Sequence, residues 1–381
     1  MQTRRWQDFN FYLLVTVLVL TGFGIAMVYS TTIGNNYTGQ VWSLSSQFAR
    51  HIIWLAIGGA VMLFLTLFDY HNFQLLAGWS YLLMLALLGY TLVAGKVSMG
   101  AQSWLVGASG QPSEPAKLLM IINLAAWWAS RDEQGSSWLT LCGSLVMAAI
   151  PLGLVLAQPD LGTAMVIGVV WLVMAWSSSL TWKQLAVLAL IALPLLYVGW
   201  NDVLQPYQRG RLTAFMMDES QVEQVADEQE REAVQAVFYN VRASKVAVGN
   251  GRMFGQGLLN GTQSQRKFLP VQYTDFIFAV TAEELGFVGA TGMLTFLALV
   301  LWQAVTVAMR ARDLFGRLIA VGIFGMLLIH TLENVGMNIG LMPVTGIPLP
   351  FISYGGSFTV TVLAAMGLLL SIDMRRRTLV F

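Results

Sequence analysis

The chain reads as an all-α polytopic membrane protein of about ten transmembrane helices. Of its 381 residues 56% are hydrophobic and only 11% charged, with a mean hydropathy of +0.64, which is not the composition of a soluble domain. Apolar runs of roughly 20 residues recur, the length a helix needs to cross hydrocarbon while satisfying its own backbone hydrogen bonds. Lys and Arg collect in alternate connections between those runs.

The predicted spans run from Phe11 to Tyr29, His51 to Phe68, Phe73 to Ala94, Pro115 to Ser130, Trp138 to Ala157, Leu161 to Ser177, Gln184 to Trp200, Phe276 to Ala308, Gly316 to Ile339 and Phe358 to Met374. The fourth and sixth are the shortest. The first is too long, and too poorly followed by a small-residue cleavage site, for a removable signal peptide, so it is read as a retained span. The eighth is about 33 residues, well beyond what roughly 30 Å of hydrocarbon needs, so its first turns are expected to lie outside the membrane core or to bend along its surface.

With the N-terminus inside, the cytoplasmic side collects Arg4, Arg5, Arg131, Lys183, Arg310, Arg312, Arg317, Arg375, Arg376 and Arg377, against only Arg50, Lys96 and Lys117 opposite. Both termini are therefore expected in the cytoplasm, in one integral membrane domain covering 1–381. The long connection 201–274, between helices 7 and 8, is expected outside. Within it, Val222, Val225, Val234, Val237, Phe238, Val241 and Val248 recur at three- and four-residue spacing, an amphipathic helix resting on the membrane or packing on other helices. The following GNGRMFGQGLLNGT is too glycine-rich for a stable helix and offers backbone that can approach a ligand closely.

A net charge of +1 without a dense basic face argues against nucleic acid. The single cysteine, Cys142, excludes an intramolecular disulfide or a cysteine cluster, and three scattered histidines present neither a zinc site nor a Ser-His-Asp arrangement. No phosphate-binding Gly-Lys-Ser/Thr loop is present. No spacing demands a cofactor, although outer acidic residues could join a divalent cation such as Mg²⁺ to an anionic substrate.

Charges at membrane edges are costly unless they face a cavity or a partner. On the outer side these are Arg50, Glu114, Lys117, Asp160, Arg211, Asp275, Glu283, Glu284 and Glu333. Glu114 and Lys117 fall on one helical face at i, i+3, as a structural ion pair or a binding pair. Asp160 and Asp275 each precede an apolar run, where an aspartate serves as an N-cap or as a chemical group.

The segments GKVSMGAQSWL, QPSEPAK, QPDLGTA, PYQRGRL, NGTQSQRKFLPVQYTDFIFAVTAEELG and NVGMNIGLMPVTGIPLPFISYGGS resemble, in order and across most of the chain, the successive motifs of the SEDS family (shape, elongation, division and sporulation). NGTQSQ, TDFIF and the last segment are closer to the elongation branch than to the division branch. The resemblance implies a peptidoglycan glycosyltransferase in the bacterial cytoplasmic membrane, polymerising lipid II into glycan strands on the outer face beside a class B penicillin-binding protein. Asp275 matches the acidic residue of TDFIF and takes the role of general base, or of the group aligning the acceptor hydroxyl. Arg211, Lys117 and Arg50 are expected to meet the pyrophosphate, with Glu114 holding Lys117. Asp160, Thr262, Gln263, Ser353 and Tyr354 are candidates for positioning sugars or shaping the cavity. Gly355 and Gly356 suit a turn before the last helix, and Glu283 and Glu284 suit capping or packing as well as function.

Where the family often has Glu and His before TDFIF, this chain has Val271 and Tyr273, so Asp275 has no imidazole two residues away. RASKVAVGNGRMFGQG also departs from the family pattern, and acceptor contacts are not carried over to it. A lipid II flippase and a non-enzymatic scaffold for the crosslinking partner are the competing readings.

Overall fold

The computed structural model describes residues 9–33, 42–43, 46–98, 101–104, 110–131, 137–178 and 180–376. Arg4, Arg5 and Arg377 of the charge pattern lie outside the described residues, as do residues 99–100 and 105 of the GKVSMGAQSWL motif.

The chain opens with α1 (Phe11–Ile33), α2 (Gln47–Leu67), a short α3 (His71–Leu75) and α4 (Ala77–Ala94). An antiparallel hairpin, β1 (Lys96–Ser98) and β2 (Ala101–Trp104), follows and is the one departure from an all-α chain among the described residues. Then come α5 (Ser113–Ala129), α6 (Trp138–Ala157), α7 (Leu161–Ser178) and α8 (Trp182–Val198), which runs into a π-turn at Gly199–Val203. The long connection carries α9 (Pro206–Met216), α10 (Glu228–Asn250) and the single turn α11 (Thr262–Gln265). The chain closes with α12 (Ile277–Arg310), α13 (Leu314–Ile339) and α14 (Gly356–Asp373).

Among the described residues nine helices are long and apolar enough to cross a membrane. The tenth expected span is α5, whose 17 residues reach only about 25 Å at 1.5 Å per residue. It is also buried on most of its surface, against α4, α7, α13 and α14. The expected third span is divided at Leu76, with a non-helical backbone between α3 and α4.

α13 and α14 form the buried centre. α14 lies on α2, where glycines allow backbone-level contact: a Cβ at Gly367 would stand 2.5 Å from the Met62 carbonyl oxygen and one at Gly58 2.7 Å from Leu363. α13 packs on α12, α7 and α5. The amphipathic stripe expected over Glu219–Val248 divides into a 3₁₀ turn, Glu219–Gln224, and α10, whose Ala233, Val234, Val237, Ala243 and Ala247 are buried. α10 packs on α9, α12 and α13, so the stripe is a packing face.

The bend expected in the eighth span occurs at Gly286, where φ is 67° and ψ −168° inside the 34-residue α12. That left-handed conformation favours glycine. The glycine-rich stretch before it closely approaches α12 here: a Cβ at Gly251 would stand 1.8 Å from the Ala282 carbonyl oxygen, and one at Gly255 2.1 Å from that of Glu284.

Candidate active site

The segment between α13 and α14, residues 340–355, gathers the motifs. Its Gly346 takes φ 79°, and a Cβ there would stand 3.3 Å from Asp275 Oδ2 and 3.6 Å from Arg211 Nη1. Two residues distant in sequence, an acid and a guanidinium, thus converge over one glycine, and any side chain at 346 would fill the space between them. Arg211 is held from both sides. Its Nη1 donates to the Thr345 carbonyl at 3.1 Å, Nη2 donates to the Tyr207 hydroxyl, and the guanidinium lies 4.5 Å from the Tyr207 ring centre, one helical turn back on α9.

Asp275 does not cap α12. The N-cap is Phe276, which makes no side-chain capping bond. Instead the Asp275 carbonyl accepts from Asn334 Nδ2 and Asn338 Nδ2, each at 2.9 Å, and Asn334 Nδ2 also donates to the Ile347 carbonyl at 2.8 Å. Asn338 Oδ1 accepts from the Ala279 backbone N–H at 3.1 Å. Two amides of α13 therefore hold the backbone just before α12 and leave the Asp275 carboxylate half-buried at the site. Burial pushes that carboxyl up from the ordinary aspartate range, and the Thr274 hydroxyl and the Arg211 charge offset part of the rise.

The residues of QPSEPAK form a second, drier cluster. Lys117 Nζ lies 2.8 Å from Glu114 Oε2 and 3.0 Å from His330 Nε2, and the two charged residues are only 2% and 5% exposed. His330 Nδ1 reaches the Pro348 carbonyl at 3.1 Å, an assignment in which Nδ1–H donates and Nε2 accepts from the ammonium. The Phe358 ring centre is 5.6 Å from Nζ. Pro348 belongs to the same segment as Gly346, so both clusters hang on one piece of backbone.

The remaining candidates divide into those that shape this segment and two that lie apart. Asp160 caps α7, accepting from Thr163 N at 3.0 Å and the Thr163 hydroxyl at 2.8 Å, and Gln111 Nε2 donates to it at 2.8 Å. Two residues on, a Cβ at Gly162 would stand 3.0 Å from Ile347. Buried Ser353 accepts from Leu349 N at 2.8 Å and donates to the Thr274 carbonyl at 2.6 Å, tying the segment to the residue before Asp275. Tyr354 N donates to the Tyr273 carbonyl at 2.8 Å, their rings meet edge to face, and exposed Arg50 hydrogen-bonds the Tyr354 hydroxyl. Tyr273, in the position of the missing imidazole, is thus a wall residue. Glu333 accepts from the Thr345 hydroxyl at 2.8 Å. Gly355 is extended, with φ −179°, so no turn there requires glycine.

Gln263 and Thr262 lie with Glu283, two turns into α12. Glu283 accepts from Gln263 N at 2.7 Å, Ser264 N at 3.0 Å and the Thr262 hydroxyl at 3.1 Å, while Glu284 accepts from Ser30 and Gln265. Both glutamates are buried and act as anchors for the TQSQ turn. Among the described residues no group of three or more His, Cys, Asp or Glu side chains is arranged to hold a metal ion.

Gly346, His330, Asn334 and Asn338 were missed by sequence reasoning. Polar residues at 330, 333, 334 and 338 share one face of a mostly apolar α13, and such a stripe in a membrane helix was the available signal. A cavity of about 700 Å³ lies at the other end of α13, between Trp176, Met309, Arg317 and Phe324, away from this chemistry.

The Asp275–Arg211 proximity gives a test. Replacing Arg211 with Gln removes a charge that lowers the Asp275 pKa, so the Asp275 carboxyl is expected to titrate at higher pH. An unchanged carboxyl band in infrared titration of the two proteins, with Asp275→Asn to identify the band, would show that Arg211 does not act on this carboxylate.

A many-helix membrane protein whose acid and guanidinium meet at one end of its buried helices is the class defined by these features. Residues 11–378 match the family model described as cell cycle protein, FtsW/RodA/SpoVE, and the chain belongs to that family, the SEDS family. Similar relatives include the peptidoglycan glycosyltransferase RodA of Treponema pallidum, 32% identical over 99% of this chain and 100% of that protein. The peptidoglycan glycosyltransferase MrdB of Escherichia coli is 34% identical over 89% and 90%, and the probable peptidoglycan glycosyltransferase FtsW of Bacillus subtilis 34% over 97% and 91%. Of solved structures, one described as structural coordination of polymerization and crosslinking by a peptidoglycan synthase complex aligns with TM-score 0.75, at 28% identity over 97% of this chain and 98% of that one. The rod shape determining protein RodA of Thermus thermophilus aligns with TM-score 0.69, at 27% identity over 98% and 99%.

Proposed function

We propose that this protein polymerises lipid II into glycan strands on the outer face of the bacterial cytoplasmic membrane, for elongation of rod-shaped cells, as one integral unit spanning 1–381 with both termini in the cytoplasm. The observation that carries the reading is the Asp275 carboxylate, held half-buried beside Arg211 over Gly346. Family membership and relatives named peptidoglycan glycosyltransferase supply its substrate class.

In the proposed reaction Asp275 takes the proton of the acceptor C4 hydroxyl as that oxygen attacks the anomeric carbon of the donor. The bond to the undecaprenyl pyrophosphate breaks in the same displacement, converting an α linkage to a β linkage without a covalent enzyme intermediate. A carboxylate of ordinary pKa near 4 is a weak base, and the burial of Asp275 works in the needed direction. The leaving pyrophosphate needs charge stabilisation more than a proton. Arg211 and exposed Arg50 are the accessible cations. Lys117, engaged with Glu114 and His330, acts from behind the site through its field. Asp160 and Ser353 shape the cavity walls, while Gln263 stands apart at Glu283.

A class B penicillin-binding protein is the proposed partner, a reading supported by likeness to a chain from a synthase complex that couples polymerization to crosslinking. A flippase remains the second reading, but transport sites sit near the membrane midplane, whereas Asp275 precedes α12 and Arg211 lies on α9, both outside the membrane-length helices. Purified protein with its partner, given labelled lipid II, is expected to yield glycan polymer. Movement of lipid II across vesicles without polymer would overturn the enzymatic reading.

A further inference from the structure

We propose that the loop 251–268 is an interfacial anchor that docks on anionic phospholipid headgroups in the leaflet where α12 enters the membrane. The inference goes beyond the glycosyltransferase reading and rests only on α12 being a membrane span.

The break at Gly286 marks a change of surroundings. Before it, Ile277 to Glu284 are buried inside the protein; after it, Phe287 and Val288 are 62% and 52% exposed. From Phe287 to Arg310 the helix has about 24 residues, or about 36 Å, enough to cross roughly 30 Å of hydrocarbon without its first ten. The membrane boundary therefore falls near Phe287, and whatever is bonded to that turn lies at headgroup depth.

The loop is bonded to that turn. Phe287 N donates to the Arg252 carbonyl at 2.8 Å and Val288 N to that of Met253 at 3.1 Å. In return Gln256 N and Gly257 N donate to the Glu283 and Glu284 carbonyls at 3.0 and 2.9 Å. The backbone groups freed by the helix break are thus satisfied by the loop, which is held as a preformed platform. Arg252, Leu259 and Lys267 take φ of 47°, 67° and 62°, left-handed values unfavourable for these residues and sustained by the surrounding bonds.

What the platform presents is amphipathic. Phe254 is 81% exposed and Met253 55%, beside Phe287 and Val288, an apolar patch ill-suited to water. Arg252, Arg266 and Lys267 of the same loop are exposed, and 251–268 contains no Asp or Glu. The nearest carboxylates, Glu283 and Glu284, are buried and engaged with the TQSQ turn and Ser30. Apolar tips that sink among acyl chains, accompanied by cations at phosphate level, are the chemistry of a surface for anionic lipid.

The test uses the full chain in nanodiscs, with Cys142→Ser removing the exposed native thiol and an environment-sensitive fluorophore placed at Phe254→Cys. A probe at Tyr239→Cys, 58% exposed on α10, is the control. Acrylamide is expected to quench the probe at 254 several-fold less than that at 239, and phosphatidylglycerol to deepen the protection. Replacing Arg252, Arg266 and Lys267 with Gln is expected to cut the anionic-lipid preference about fivefold per cation. Because labelled variants can misfold, phosphatidylglycerol retained by unlabelled protein on detergent extraction is measured in parallel, with less expected in the triple-Gln variant. Equal quenching at both sites overturns the proposal. So does protection that appears only when the transpeptidase partner is added, which would assign the patch to a protein. None of these readouts uses lipid II, so the anchor and the polymerase fail independently.

Discussion

Asp275→Asn is expected to lower the rate of glycan polymerisation by about 10²–10⁴-fold, the range associated with removing a positioned general base. The amide has nearly the same shape and cannot take the acceptor proton. Folding is expected to survive for two reasons. The contacts that fix this residue run through its backbone carbonyl, to Asn334 and Asn338, and the substitution leaves them in place. The sign of the ionisation also favours survival: burial raises the carboxyl pKa, so the ionised form disfavours folding as pH climbs from the unfolded towards the folded pKa, and a neutral amide removes that cost. Polymer yield from labelled lipid II, with thermal unfolding and partner binding measured alongside, checks both halves. Undiminished polymerisation would end the assignment of Asp275 as base.

Lys117→Met is expected to be the most destabilising of the site substitutions. Removing the ammonium leaves Glu114, 5% exposed, as an uncompensated buried charge and deprives His330 Nε2 of its donor. Breaking one partner of a buried pair costs about 3–5 kcal/mol. The double change Glu114→Gln with Lys117→Met removes both charges and is expected to recover most of the folding. Polymerisation should stay depressed in that double variant if Lys117 supplies the proposed cationic field behind the pyrophosphate. Thermal unfolding in detergent, read together with lipid II turnover, separates the contributions. A single variant that unfolds at the wild-type temperature would show that the pair carries no stability, and full turnover in the double variant would remove Lys117 from the chemistry.

The membrane architecture was legible because apolar run length is a local property. Helix ends came out within a few residues for most spans, and even the bend in the eighth followed from its excess length. The Glu114–Lys117 pair was legible for a similar reason, since i, i+3 spacing on one helix needs no tertiary knowledge. The split after Leu75 and the hairpin at Lys96–Trp104 were not, as neither interrupts the hydropathy pattern strongly. At Asp275 the sequence left cap and catalyst open. The structure removes the cap, because a cap bonds its own helix N-terminus whereas this carboxylate lies beside Arg211, and the catalytic role is the proposal made above. Its motif made Gln263 a candidate for positioning sugars or shaping the cavity, yet its backbone is bound two turns along the helix, at Glu283.

What the amino-acid sequence by itself determined is the set of membrane helices, the family, and the residue types available for chemistry, because these follow from run length, composition and motif order. Tertiary structure alone decided the meeting of Asp275 with Arg211, the amide clamp of Asn334 and Asn338, and the joining of both charged clusters to residues 345–348. These contacts bridge separations of 59 to 134 residues at the Asp275–Asn334 and Arg211–Thr345 bonds. They exist because packing α13 among α5, α7 and α12 carries its following segment across their ends, a consequence of how the helices are arranged in space and not of any local pattern.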